Sequence, residues 1–173
     1  MKKLIIITVL CLTVFVGKAQ QGAKFGYVDT DYILSQIPEY KAAQTELDKT
    51  SIQWQKEIEG KYTEIDKLYK AYQADAVLLT EDMKKKRENE IINKEKEAKD
   101  LQKQRFGVDG ELFKRRVELV KPIQDKVYNA IKTVAEKSAL GFVLDKAGQV
   151  SILYANSKYD KSDDVLSLLG YKK

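Results

Sequence analysis

Histidine is absent from this chain, and cysteine occurs once, at Cys11. Without histidine there is no commonest general base and no usual zinc ligand. A single cysteine closes no disulfide within the chain. No glycine-rich phosphate loop, EF-hand loop or nucleophile elbow is present either. The sequence therefore predicts a protein that is not an enzyme, with no catalytic residue, no metal ligand and no cofactor. Prolines are also scarce, standing only at Pro38 and Pro122. Between them runs a charged, helix-favouring stretch with few glycines.

Only one long apolar run occurs, residues 4–16, LIIITVLCLTVFV. Lys2 and Lys3 precede it, and Gly17-Lys18-Ala19 places small residues at the −3 and −1 positions of a cleavage site before Gln20. This pattern predicts a cleavable secretory signal peptide over residues 1–19, too short to span a bilayer. Cys11 would leave with it, so stability would have to come from packing or association although export permits disulfides. Loss of Lys2, Lys3 and Lys18 lowers the formal charge from +5 to +2. A strongly basic nucleic-acid binder is therefore not indicated.

After the leader, residues 24–29 (KFGYVD) read as a strand, and Asp29 or Thr30 as the cap of a short helix over residues 30–40. Pro38 suits the first turn of the next helix. From there Leu47, Trp54, Ile58, Ile65, Leu68 and Tyr72 recur at steps of three and four, with Ser51 and Lys61 as polar members of the seam. Thr80 is a good N-cap, followed by Glu81 and Asp82 at the positive helix end. Ile91, Ala98, Leu112 and Leu119 then recur at sevens, with Arg105 in the gap. Together these predict an antiparallel helical hairpin over residues 41–120, its tip near residues 73–83. At ~1.5 Å per residue each arm extends roughly 60 Å. Gly107 and Gly110 predict a bend in the return arm, and Pro122 a kink or an end. Beyond it Ile123, Val127, Ile131 and Val134 form a denser apolar face.

Gly141 is read as ending that helix. Residues 142–146 read as a strand, 147–149 as a turn and 150–155 as a third strand. Ser162 is read as the cap of a last short helix that stops at Gly170. The expected fold class is α+β. A small α/β body, residues 20–40 and 121–173, carries the inserted hairpin. One narrow helical seam and a sheet with two open edges leave the core unclosed, which predicts association.

Several side chains are candidates for binding. Tyr62 and Tyr69 lie one step off the seam, and Val77, Leu78, Leu79 and Met83 mark the tip. Apolar side chains on a charged arm suit contact with unfolded chains. Lys84, Lys85, Lys86 and Arg87 form a basic run able to meet phosphate groups of anionic lipid or lipopolysaccharide, although Glu81, Asp82, Glu88 and Glu90 flank it. Asp29, Asp31 and Asp145 stand where caps and turns explain them, and Asp160, Asp163 and Asp164 read as a helix N-terminus.

The order of these segments resembles the Skp/OmpH family of periplasmic chaperones. The resemblance rests on residues 24–30 with Tyr32-Ile33-Leu34, and on residues 142–145 running to Tyr154 and then to Asp163, Val165 and Leu166, around a hairpin. It implies a homotrimer whose strands form a small β-barrel-like body and whose arms enclose a cavity. It also implies a holdase that carries unfolded outer-membrane proteins through the periplasm without ATP. The competing expectation is an envelope scaffold that binds a folded partner or anionic lipid through the arm tips.

Overall fold

The computed structural model describes residues 23–148 and 152–171, so the expected signal peptide lies outside the described residues. The chain is α+β, mostly helical with a two-stranded sheet. In order it runs β1 (Phe25–Val28), α1 (Thr30–Gln36), α2 (Pro38–Asp75), α3 (Glu81–Phe106), α4 (Glu111–Lys137), β2 (Phe142–Asp145), a 3-10 turn (Ser157–Tyr159) and α5 (Ser162–Leu168). The described residues fall into two compact units, one from residues 37–125 and one from the described residues on either side of it.

The first of these units is the hairpin. Pro38 opens α2, which continues for 38 residues. Turn residues follow Asp75, and the Thr80 side chain then caps α3 by accepting from the Met83 N–H. α2 buries its stripe against α3 in one cluster and against α4 in another. Ile65, Ile91 and Ala98 form one, flanked by Leu68 and Tyr72. Ala43, Leu47 and Val120 form the other, flanked by Tyr40, Leu112, Leu119 and Ile123. Polar pairs keep the same antiparallel register along the arm: Tyr72 with Glu88, Glu64 with Lys94, Glu57 with Arg105, and Glu46 with Arg115.

In the other unit β1 and β2 pair in parallel, Phe25 opposite Phe142 and Val28 opposite Asp145. Parallel strands need a long crossover; here the whole hairpin supplies it. On its other edge β1 meets the chain near Asp160, and the Lys161 N–H donates to the Tyr27 carbonyl at 2.8 Å. Helix α1 packs on α5, and Ile33 and Val165 are fully buried. Carboxylates clamp the junctions. Asp145 accepts from the Thr30 N–H and hydroxyl at 3.2 and 2.7 Å, and Asp29 caps α1 through the Tyr32 N–H at 2.9 Å.

Three local expectations fail and a fourth is narrowed, for identifiable reasons. Of the kink or end expected at Pro122, the end does not occur, and α4 runs through it. The carbonyl left without a donor belongs to Glu118, and both residues are exposed, so water reaches it. The stop of α4 is not Gly141 but Ala139, which holds the left-handed conformation at φ 51°. The Leu140 N–H then reaches back to the Ala135 carbonyl at 2.9 Å, closing the helix end. Ser162 is not a cap: its buried hydroxyl donates to Asp160 at 2.6 Å and accepts from the Asp29 N–H at 2.9 Å, stapling two distant segments. Of the expected third strand, residues 152–155 are irregular, and 150–151 lie outside the described residues.

Ala139 pays a left-handed penalty of ~1–2 kcal/mol that glycine would not, against ~0.5–1 kcal/mol of extra unfolded-state entropy. Ala139→Gly is therefore expected to raise stability by about 0.5–1 kcal/mol, measured by denaturant unfolding; a loss of stability would contradict the role given to this residue.

Candidate functional site

Two antiparallel helices bury only one stripe each, so every residue one step around from the seam is left outside. On α2 that position is held by Ile52, Tyr62 and Tyr69, which stay 53%, 40% and 47% exposed. Tyr62 shares a groove of about 360 Å³ with Phe106, and Ile58, Gln55, Glu59 and Gln102 complete its walls. Ile92 on α3 and Phe113 and Val117 on α4 are exposed as well. None of these last residues, nor Phe106, stood out in the sequence. The signal was their place beside seam residues, as with Ile92 next to buried Ile91.

At the tip, the Leu78 N–H donates to the Asp75 carbonyl at 2.8 Å and closes a tight turn. That turn faces Val77 and Leu78 into solvent at 93% and 84% exposure. Leu79 is half-buried, and Met83 is exposed in the first turn of α3. The tip residues thus lie together, whereas Tyr62 and Tyr69 lie farther down α2. Lys84 is half-buried and bonded to Glu81 at 2.8 Å. Lys85 and Lys86 share their surface with Asp82, Glu90 and Glu97, so the basic run is interleaved with negative charge.

Lower on the arm, the return path breaks between α3 and α4. A side chain at Gly107 would collide with the Lys103 carbonyl, and one at Gly110 would come within 2.8 Å of the Gly107 backbone. Glycine is thus required at both places. Arg105 spans the break. Its guanidinium lies 4.6 Å from the Trp54 ring centroid, 3.5 Å from Glu57, and against Glu111 at the start of α4. Phe106 meets Trp54 edge-on at 6.3 Å. The hydrogen bond from Gln104 at 2.7 Å, and then that from Arg105, hold the Glu111 carboxyl below its ordinary value.

The body carries a second apolar surface. Phe25 and Tyr159 stack at 5.6 Å. They line a cavity of about 310 Å³ together with Tyr27, Leu144, Ile152 and Tyr154. Phe142 and Leu144 on β2 are exposed at 67% and 44%, and Leu153 at 99%. Among the described residues the outer edge of β2 has no strand beside it. Asp29, Asp145 and Asp160 serve as caps and clamps, and no cluster of metal-ligating side chains occurs among the described residues.

Comparison with known proteins agrees with this architecture. The family profile described as "Outer membrane protein (OmpH-like)" matches residues 24–169. The chain belongs to the OmpH-like family. A protein of Aquifex aeolicus (strain VF5), named only as uncharacterized, is 32% identical over 145 residues, covering 84% of this chain and 85% of its own length. The OmpH-like fold is also seen in the crystal structure of a proposed outer membrane chaperone from Caulobacter crescentus CB15. The two share 16% identity at a TM-score of 0.67, over 87% of this chain and 86% of that one.

A carboxyl whose folded pKa is depressed contributes stability above its unfolded value, and that contribution is lost as pH falls through the folded value. The groups facing Glu111 are Arg105, Gln104 and Lys114. Wild type is therefore expected to unfold at higher temperature than Glu111→Gln near neutral pH. The difference should shrink as pH falls from about 5 to about 3. Thermal melts of both proteins across that range test this; a pH-independent difference would remove the charge from the explanation.

Proposed function

We propose that this OmpH-like chain is a periplasmic holdase chaperone that works without ATP. Its clients in this reading are unfolded outer-membrane proteins, enclosed between the arms of a homotrimer. The observation that carries it is the row of exposed aromatic and aliphatic side chains along a charged arm with a thin core: Tyr62, Tyr69, Val77, Leu78 and Met83. Such side chains give an unfolded segment apolar contact without a shaped pocket, and the surrounding charge keeps the arm soluble. Leu79 lies beside them in the tip turn. The chaperone description attached to the Caulobacter crescentus relative of the same fold supports this reading. The edge of β2 that no strand covers among the described residues, with Phe142 and Leu144 exposed, supports association. Strands of three subunits would complete a small barrel-like body there.

The processed protein, at about one trimer per client, is expected to suppress aggregation of a urea-diluted outer-membrane β-barrel protein without nucleotide. Tyr62→Ser combined with Tyr69→Ser should weaken it about thirtyfold, from ~1 kcal/mol of lost contact for each of the two rings. No suppression at several-fold excess, or a monomeric mass by light scattering, would refute the reading.

A second reading has its own observation, the near-complete exposure of Val77 and Leu78 at the tip. In it the arm is an envelope scaffold that grips a folded partner, or an anionic lipid surface through Lys84, Lys85, Lys86 and Arg87. Making Leu78, Leu79 and Met83 polar should then abolish capture of one folded protein while leaving suppression of aggregation intact. Vesicle binding that survives reversal of the four basic charges would exclude the lipid variant.

A further inference from the structure

The arm is closed by two apolar clusters, and between them stand buried Ile58, the Trp54–Phe106 pair and a group of charges. The distal cluster of Ile65, Ile91 and Ala98 and the proximal cluster of Ala43, Leu47 and Val120 share no residue. Between them the return helix is interrupted at residues 107–110, where neither Gly107 nor Gly110 has room for a side chain. What crosses the gap is Arg105. It binds Glu111 of α4 and Glu57 of α2, and lies on the Trp54 ring. Its grip is incomplete, because its Nε is buried with no hydrogen-bond partner. Opposite the break α2 is continuous, but close by it carries Gly60, around which there is only open space.

We propose that this joint is an ionic latch. Arg105 and Trp54 hold α3 and α4 in line, and release of the guanidinium frees the distal part of the arm to pivot while both apolar clusters stay closed. Ion pairs with partly exposed carboxylates weaken with salt, and the apolar clusters do not. An arm with this latch can change the aim of its tip without unfolding. The latch is independent of what the arm binds, so it stands or falls separately from the chaperone reading.

Trp54 is the single tryptophan of the chain, so its fluorescence reads the latch directly. Raising sodium chloride from about 0.05 M to about 1 M, where the screening length falls from roughly 14 Å to roughly 3 Å, is expected to red-shift Trp54 emission. It should also roughly double the acrylamide quenching constant, with helical circular dichroism unchanged. Arg105→Gln should show that state already at low salt, and Arg105→Lys should lie between. Amide exchange provides a second readout. The Gly110 and Lys114 amides, bonded to the Gly107 and Gly110 carbonyls, should lose protection in salt, while those of Ile65, Ile91 and Leu47 keep theirs. Were Arg105→Gln to unfold the arm, the wild-type salt series by exchange would still decide. Protection at the joint that stays equal to that of both clusters, or a salt response undiminished in folded Arg105→Gln, would overturn the proposal.

Discussion

Two helices side by side can hide only one stripe apiece, and most features of this protein follow from that limit. The seam of the hairpin is too narrow to cover the aromatic side chains beside it, so Tyr62 and Tyr69 remain at the surface. It is also not continuous. Apolar clusters close the arm in two stretches, and between them Ile58 and the Trp54–Phe106 pair stand beside the charges around Arg105. With exposed charged pairs each contributing little, the arm's stability resides in those two clusters. Its shape between them depends on one guanidinium and one indole.

The body solves a different problem. Strands β1 and β2 stand on either side of the hairpin in the sequence and pair in parallel, so backbone hydrogen bonds join the two chain segments within the body. Carboxylates finish the joints that the small sheet cannot. Asp145 ties the start of α1 to the end of β2, and Asp160 with Ser162 ties the approach to α5 back to Asp29. These acidic residues are consumed by backbone and hydroxyl donors, which fits their reading as caps. On β2 itself Phe142 stays exposed, and Leu144 is half turned to solvent beside Phe25 and Tyr159.

Much of this was legible in the sequence wherever the determinant is local or periodic. Pro38 and Thr80 mark helix starts by geometry and capping that need no partner, and the steps of three and four from Leu47 to Tyr72 name the buried face of α2. The antiparallel hairpin and its tip near residues 73–83 followed from the seam and the Thr80 cap, and the Glu46–Arg115, Glu57–Arg105 and Tyr72–Glu88 pairs run antiparallel about that tip. The misses are residues whose role depends on surroundings. Pro122 is tolerated because Glu118 faces water; Ala139 takes the left-handed conformation expected of a glycine; Ser162 looks like a cap but is drawn into the interior by Asp160 and Asp29. Residues 152–155 read as a strand by composition, yet pair with no strand among the described residues.

The arm shows the division most clearly. The hairpin itself, its polarity and the interruption by Gly107 and Gly110 are written in the sequence, because helix propensity, capping and glycine's freedom act within a few residues. That Arg105, a polar gap in a heptad stripe, would stack on Trp54 and reach both Glu57 and Glu111 was settled only by the tertiary structure. Those partners come from the opposite helix and from across the break. They meet because the two apolar clusters fix the register on either side.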